Sequence, residues 1–140
     1  MALIDDARII EFLDQPRNAI VATIRPNGIP QLSPIWFLWR TDRFVLSAGV
    51  STAKAANLRR DPRISLCIDD EPGARYLTAT GHVSQVDEVG RREHALELIA
   101  KYKPAEEVLA HWEYLEGNEP QRIFTFDPER IIWRDYAEHG

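Results

Sequence analysis

The spacing of apolar and polar positions changes several times along this chain, and each change marks an element. Ala7, Ile9, Ile10 and Leu13 fall near one helical face while Asp5, Asp6 and Glu11 fall elsewhere, which predicts an amphipathic helix over Leu3 to Leu13, ended by Pro16. Asn18 to Ile24 is short and β-branched and reads as a buried strand. Arg25-Pro26-Asn27-Gly28 is a turn, because proline presets φ and Asn-Gly tolerates positive φ. Ile29 to Trp39 follows as a strand, with Gln31, Ser33, Ile35, Phe37 and Trp39 on one face and Pro30, Leu32, Pro34, Trp36 and Leu38 on the other. Its two prolines make it an edge or a bulged strand and leave backbone groups free for a ligand.

Further strands are expected over Phe44 to Ala48, Arg63 to Ile68, Gln121 to Phe126 and Ile131 to Trp133. A long one runs from Arg75 to Val86, with Gly81 as its bulge point. Glu88 to Tyr102 is a helix whose apolar set is Val89, Leu96, Ile99 and Ala100. Pro104 starts another helical stretch through Val108, Leu109, Trp112 and Leu115, closed by Gly117-Asn118. Strands outnumber helices, and hairpin-length turns join the first three. The expected fold is therefore mainly antiparallel β with flanking helices, closed into a small barrel, as a single domain over residues 1–140.

Composition narrows the function classes. A formal net charge of −5 argues against nucleic acid or an anionic membrane as the main partner. One cysteine, Cys67, excludes an internal disulfide framework and reads as a small buried filler. The first residues lack a basic stretch followed by an apolar one, and no apolar run approaches the roughly 20 residues of a membrane span, so a cytoplasmic protein is expected. His82, His94, His111 and His139 have no metal-ligand spacing, and Asp69-Asp70-Glu71 beside Pro72-Gly73 reads as a solvated turn. No catalytic residue and no metal ligand is assigned.

The stretch that carries chemistry is Ser51-Thr52-Ala53-Lys54-Ala55-Ala56-Asn57-Leu58-Arg59-Arg60-Asp61-Pro62, which reads as a tight turn and a short helix after a strand. Ser51 and Thr52 are N-cap residues, and Pro62 stops the helix. Free N–H groups, the positive dipole end and the Lys54 ammonium converge there, which suits a phosphate. An ordinary capped helix with Lys54 in water satisfies the same spacing. Arg59 and Arg60 read as a surface cluster or as a second phosphate contact.

Three stretches together carry a resemblance: Ala22 to Gln31, Pro34 to Trp39 and Ser51 to Pro62. The chain resembles the pyridoxamine 5′-phosphate oxidase-like split-barrel family, and within it the small oxidoreductases that use FMN or coenzyme F420. The resemblance implies a six-stranded antiparallel split barrel, a homodimer, and cofactors at the subunit interface. It places the cofactor phosphate on Ser51, Thr52 and Lys54, with Asn57 as a helper. The ring is expected along Gln31, Leu32, Ser33 and Pro34, with Ser47 and Ala48 behind and Trp36 closing the pocket or reaching the partner.

Two departures shape the expectation. Val50-Ser51-Thr52-Ala53 lacks the arginine that many relatives carry before the matching lysine. The arginine and histidine set of true pyridoxamine phosphate oxidases is also missing near the end, so vitamin B6 synthesis is not expected. The function implied is hydride transfer through FMN, or alternatively F420, to a small molecule, with a non-catalytic flavin carrier as the rival reading.

Overall fold

The computed structural model describes residues 4–70 and 73–136; Leu3, Glu71, Pro72 and His139, which entered the expectations above, lie outside them. The described chain runs α1 (Ala7–Asp14), β1 (Ala19–Ile24), β2 (Pro30–Ile35), β3 (Phe37–Arg40), β4 (Arg43–Gly49) and α2 (Ala53–Arg60). It continues with β5 (Arg63–Asp69), β6 (Arg75–His82), β7 (Ser84–Gln85), α3 (Glu88–Tyr102), a 3₁₀ turn (Ala105–Glu107), α4 (Val108–Asn118), β8 (Gln121–Phe126) and β9 (Arg130–Asp135).

The strands form two antiparallel sheets, one of five strands in the order β2-β1-β5-β6-β9 and one of four in the order β3-β4-β8-β7. The mainly β fold with flanking helices is as expected. The seven strand runs read from the sequence become nine strands among the described residues because two of them are broken. The first break is at Trp36: Ile35 still pairs with Ala19 in the larger sheet, and Phe37 already pairs with Leu46 in the smaller. The second is at Val83, where the chain leaves β6 and its partners for β7 and β8. Gly81 is not the bulge point; it stays in register opposite Ile64. Its missing side chain serves packing instead, since a Cβ there would lie 2.8 Å from the Phe126 ring and 2.9 Å from the Asp127 carbonyl.

The main core lies between the sheets and under α1, where Phe12, Phe37, Phe44, Phe124, Leu66 and Leu77 are fully buried. A second, smaller cluster of Val45, Ala95, Ile99, Trp112 and Ile123 sits where α3 and α4 cover β4 and β8. Three helical faces differ from expectation. In α1 the buried pair is Phe12 and Leu13, with Ala7 exposed. In α3 the buried residues are Ala95, Leu98 and Ile99, while Val89 is 94% exposed and Ala100 faces solvent. In α4 Trp112 is buried and Leu109 is not.

Two smaller expectations are also corrected. Cys67 is exposed, on the outer face of β5, and partial burial of its sulfur together with Asp69 pushes the thiol's pKa up, so it keeps its proton. Asp70 is not solvated: it is buried and accepts bonds from the Arg75 N–H (3.1 Å) and Nε (3.0 Å).

The break at Trp36 frees the backbone groups next to it, and α3 satisfies them. The Phe37 N–H donates to the Tyr102 hydroxyl (3.0 Å), and Lys101 Nζ donates to the carbonyls of Phe37 (3.0 Å) and Leu13 (2.7 Å). A chain that changes sheets in the interior needs such partners, because an orphaned buried backbone group is costly.

Candidate cofactor site

Helix α2 starts where β4 ends, and its cap sets the geometry. The Thr52 hydroxyl accepts from the Ala55 N–H (3.3 Å) and donates to the Gly49 carbonyl (2.8 Å), so both its capacities are used inside the turn. Asn57 is buried and similarly occupied. Its Nδ2 donates to Thr23 Oγ1 (3.0 Å) and Gln31 Oε1 (2.9 Å), and its Oδ1 accepts from Arg60 (3.2 Å). Arg60 also donates to the Ile24 carbonyl. These bonds clamp α2 onto β1 and β2, and they commit Asn57, Gln31 and Arg60 to that task.

Lys54 differs. Its Nζ lies 3.4 Å from the Pro34 carbonyl, on the proline-interrupted strand, and no carboxylate among the described residues pairs with it. The side chain is half-buried, and that desolvation lowers its pKa below the usual lysine range. Ser51 beside it already holds an anion: the carboxylate of Glu119 accepts from the Ser51 N–H (3.0 Å) and from its hydroxyl. Glu119 lies over Gly49, where any Cβ would overlap its carboxylate. The start of α2 thus accommodates a negative group in this very structure, supplied by the chain itself.

The other expected ring residues separate into three places. Leu32 is 65% exposed on the outer face of the larger sheet, flanked through the ladder by Ala22. Ser33 is half-buried and Ala48 is fully in the core. Trp36 and Ser47 line a cavity of about 280 Å³ under α3 and α4, together with Leu98, Ile99, His111, Trp112 and Gln121. There the Ser47 hydroxyl donates to Gln121 Oε1 (3.3 Å), and Gln121 Nε2 donates to the Glu119 carbonyl (3.1 Å). Trp36 stacks on Tyr102 (4.4 Å between centroids) and also contacts the His111 ring (5.5 Å).

Sequence reasoning missed Glu119, Gln121 and His111. Glu119-Pro120 directly before a strand was a weak signal of an anchored connector. His111 lies one position before Trp112 on a helix whose apolar set was visible, so its place beside the buried face was within reach.

Two antiparallel sheets joined where one chain crosses between them, with a short helix capping a strand end, define the split-barrel class of fold. The chain belongs to the pyridoxamine 5′-phosphate oxidase family, whose model matches residues 6–134. Solved structures agree in fold. A conserved hypothetical protein from Mycobacterium tuberculosis is 22% identical, with a TM-score of 0.81 over 99% of this chain and 89% of that one. An F420 reductase is 22% identical, with a TM-score of 0.67 over 87% of this chain and 94% of its own. A heme storage protein from Vibrio cholerae is 21% identical, with a TM-score of 0.68 over 96% of both chains. At such identities the likeness is one of fold, and these structural neighbours do not share one function. No described helix is long and apolar enough to cross a membrane.

Proposed function

We propose that this chain binds a phosphate-bearing flavin-type cofactor, FMN, and acts as an oxidoreductase on a small molecule. The observation that carries the reading is Lys54: a half-buried ammonium without a carboxylate partner, at a helix start where Ser51 already holds an anionic oxygen. A phosphate fits this chemistry better than the resident carboxylate, because it can accept from Ser51 and Lys54 at once. To hold the phosphate, Ser51 would exchange the Glu119 carboxylate for it. When bound, such a cofactor supplies hydride chemistry. The protein's part is to fix the phosphate with Ser51 and Lys54, to present the open edge of β2 near Pro34, and to exclude water with Trp36.

FMN is favoured over F420 for a reason of charge. An oligoglutamate tail calls for an extended basic groove, and Arg60 is tied to Ile24 and Asn57, which leaves two arginines near α2 among the described residues, Arg59 and Arg25, the latter beside Gln31, Ala53 and Asn57. Two copies of the chain pair through the outer face of the larger sheet, where Ile20 (42% exposed) lies opposite Pro34 and Leu32 (65%) lies opposite Ala22, so that each site is completed by the partner.

The test is the visible absorption spectrum of the purified protein, with the released ligand identified by mass, followed by titration of FMN and F420 against the protein. FMN in the protein, or submicromolar binding of FMN alone, supports the reading. F420 binding alone replaces the cofactor, and binding of neither overturns the proposal. A bound flavin that is reduced and then reoxidised only by oxygen would favour the carrier reading over the enzyme.

A further inference from the structure

The cavity under α3 and α4 has a composition of its own. Its walls are apolar and aromatic, with Trp36, Trp112, Leu98 and Ile99 foremost, and no lysine, arginine, aspartate or glutamate lines it among the described residues. Its polar atoms are few. Gln121, 7% exposed, accepts from Ser47 and donates one of its two amide N–H bonds to the Glu119 carbonyl, which leaves its second donor uncommitted. His111 is stacked on Trp36, and burial together with Lys103 holds its pKa below the usual histidine range, so the ring is neutral at neutral pH. The Arg91 guanidinium lies against Trp112 at 5.3 Å and is already paired with Glu116 (2.7 Å) and Glu88 (3.2 Å).

We infer that this cavity is a binding site for a small, uncharged, planar aromatic molecule carrying a hydrogen-bond acceptor, packed against Trp36 and Trp112 and oriented by the Gln121 amide. The argument is one of exclusion and fit. A charged molecule would lose its hydration here and find no counter-ion, which is a heavy penalty in an apolar site. A flat neutral ring gains offset or edge contacts with two indoles as well as area burial. At about 280 Å³ the cavity is at the small end for ligand sites, which suits one or two fused rings and not a macrocycle. Glu119 lies in the connector that enters β8 at Gln121, so the cavity and the Ser51 seat adjoin. That this molecule is the hydride acceptor rests on the cofactor reading above; its binding does not.

The experiment is calorimetric titration of the full-length protein with 2-naphthol as the neutral probe and 2-naphthoate as its charged counterpart, with FMN titrated in parallel. Binding of 2-naphthol at least tenfold tighter than 2-naphthoate, reduced at least tenfold in Ala95→Phe, is expected. Should Ala95→Phe not fold, intermolecular NOEs in the unaltered protein decide: contacts from 2-naphthol to the indoles of Trp36 and Trp112 are expected. No binding of 2-naphthol, equal binding of both probes, or NOEs to other residues overturns the inference. Binding of 2-naphthol without FMN would sink the cofactor reading alone, and the reverse would sink this inference alone.

Discussion

The indole of Trp36 and the ring of Tyr102 lie face to face, with centroids 4.4 Å apart and planes 6° from parallel. The same tyrosine receives the Phe37 N–H on its hydroxyl. One side chain of α3 therefore fixes both the residue at which the chain leaves the larger sheet and the residue at which it enters the smaller. Tyr102→Phe keeps the stack and orphans the N–H, and should destabilise the fold by about 1–3 kcal/mol. Urea unfolding of the two proteins measures it, and an unchanged midpoint at unchanged slope would show that this bond does not hold the crossover.

Lys101, beside it, makes stability depend on pH. Burial lowers its pKa to about 8 from the model-peptide value of 10.5. The unfolded chain then binds more protons than the folded one between these values, so stability from this group rises with pH across that window and is lost as pH falls through about 8. Lys101→Met removes the dependence. The difference in unfolding free energy between the two proteins, followed from pH 7 to about 10, should slope in favour of the wild type as pH rises; a flat difference would contradict the shift. The Tyr102 phenol, pushed up to about 12 by burial, acts in the opposite direction only at higher pH.

Lys54 and Glu119 should have opposite effects on cofactor affinity. Lys54→Ala removes a charged hydrogen bond and should weaken FMN by about 1.5–3 kcal/mol, roughly ten- to hundredfold. Glu119→Gln removes the competing negative charge at Ser51 and should tighten FMN. Fluorescence titration of both variants reads the signs directly, and two shifts of the same sign would remove the phosphate from this seat.

Leu32→Glu places a charge on the apolar outer face, next to Ala22 in the ladder. On the pairing proposed above, the unaltered chain should sediment as a dimer and this variant as a monomer, with the far-ultraviolet circular dichroism spectrum intact. A variant that stays dimeric would move the interface elsewhere.

Gly81→Ala tests the close approach of β6 to the β8–β9 turn. With the Phe126 ring 2.8 Å and the Asp127 carbonyl 2.9 Å from the added Cβ, neighbours must move. A loss of about 1–3 kcal/mol is expected from the overpacking. A melting temperature unchanged within error would mean that the turn yields freely.

Local chemistry made much of the fold legible. The β-branched run before Arg25 is β1 almost to the residue, and α3 and β8 have the expected bounds. The breaks at Trp36 and Val83 were not legible, because a change of sheet depends on which distant strand offers a ladder. The buried face of α3 was misread for a similar reason: Val89 is apolar but precedes the part of the helix that meets β4 and β8, while Ala95 is small and lies against them. At the site, the hydroxyls and lysine at α2 were visible as residue types at a helix start. Glu119 was not, since its approach to Ser51 spans 68 positions of chain.

The order of the strands has a consequence for how the chain is made. β8 is the strand that joins β4 to β7, and β9 is the outer partner of β6, so each sheet takes a member from the single stretch Gln121 to Asp135. Until Gln121 to Asp135 has left the ribosome, β4 has only β3 beside it and one side of β6 is open. The two layers are therefore completed together during synthesis, with the apolar inner faces of both waiting on the same fifteen residues.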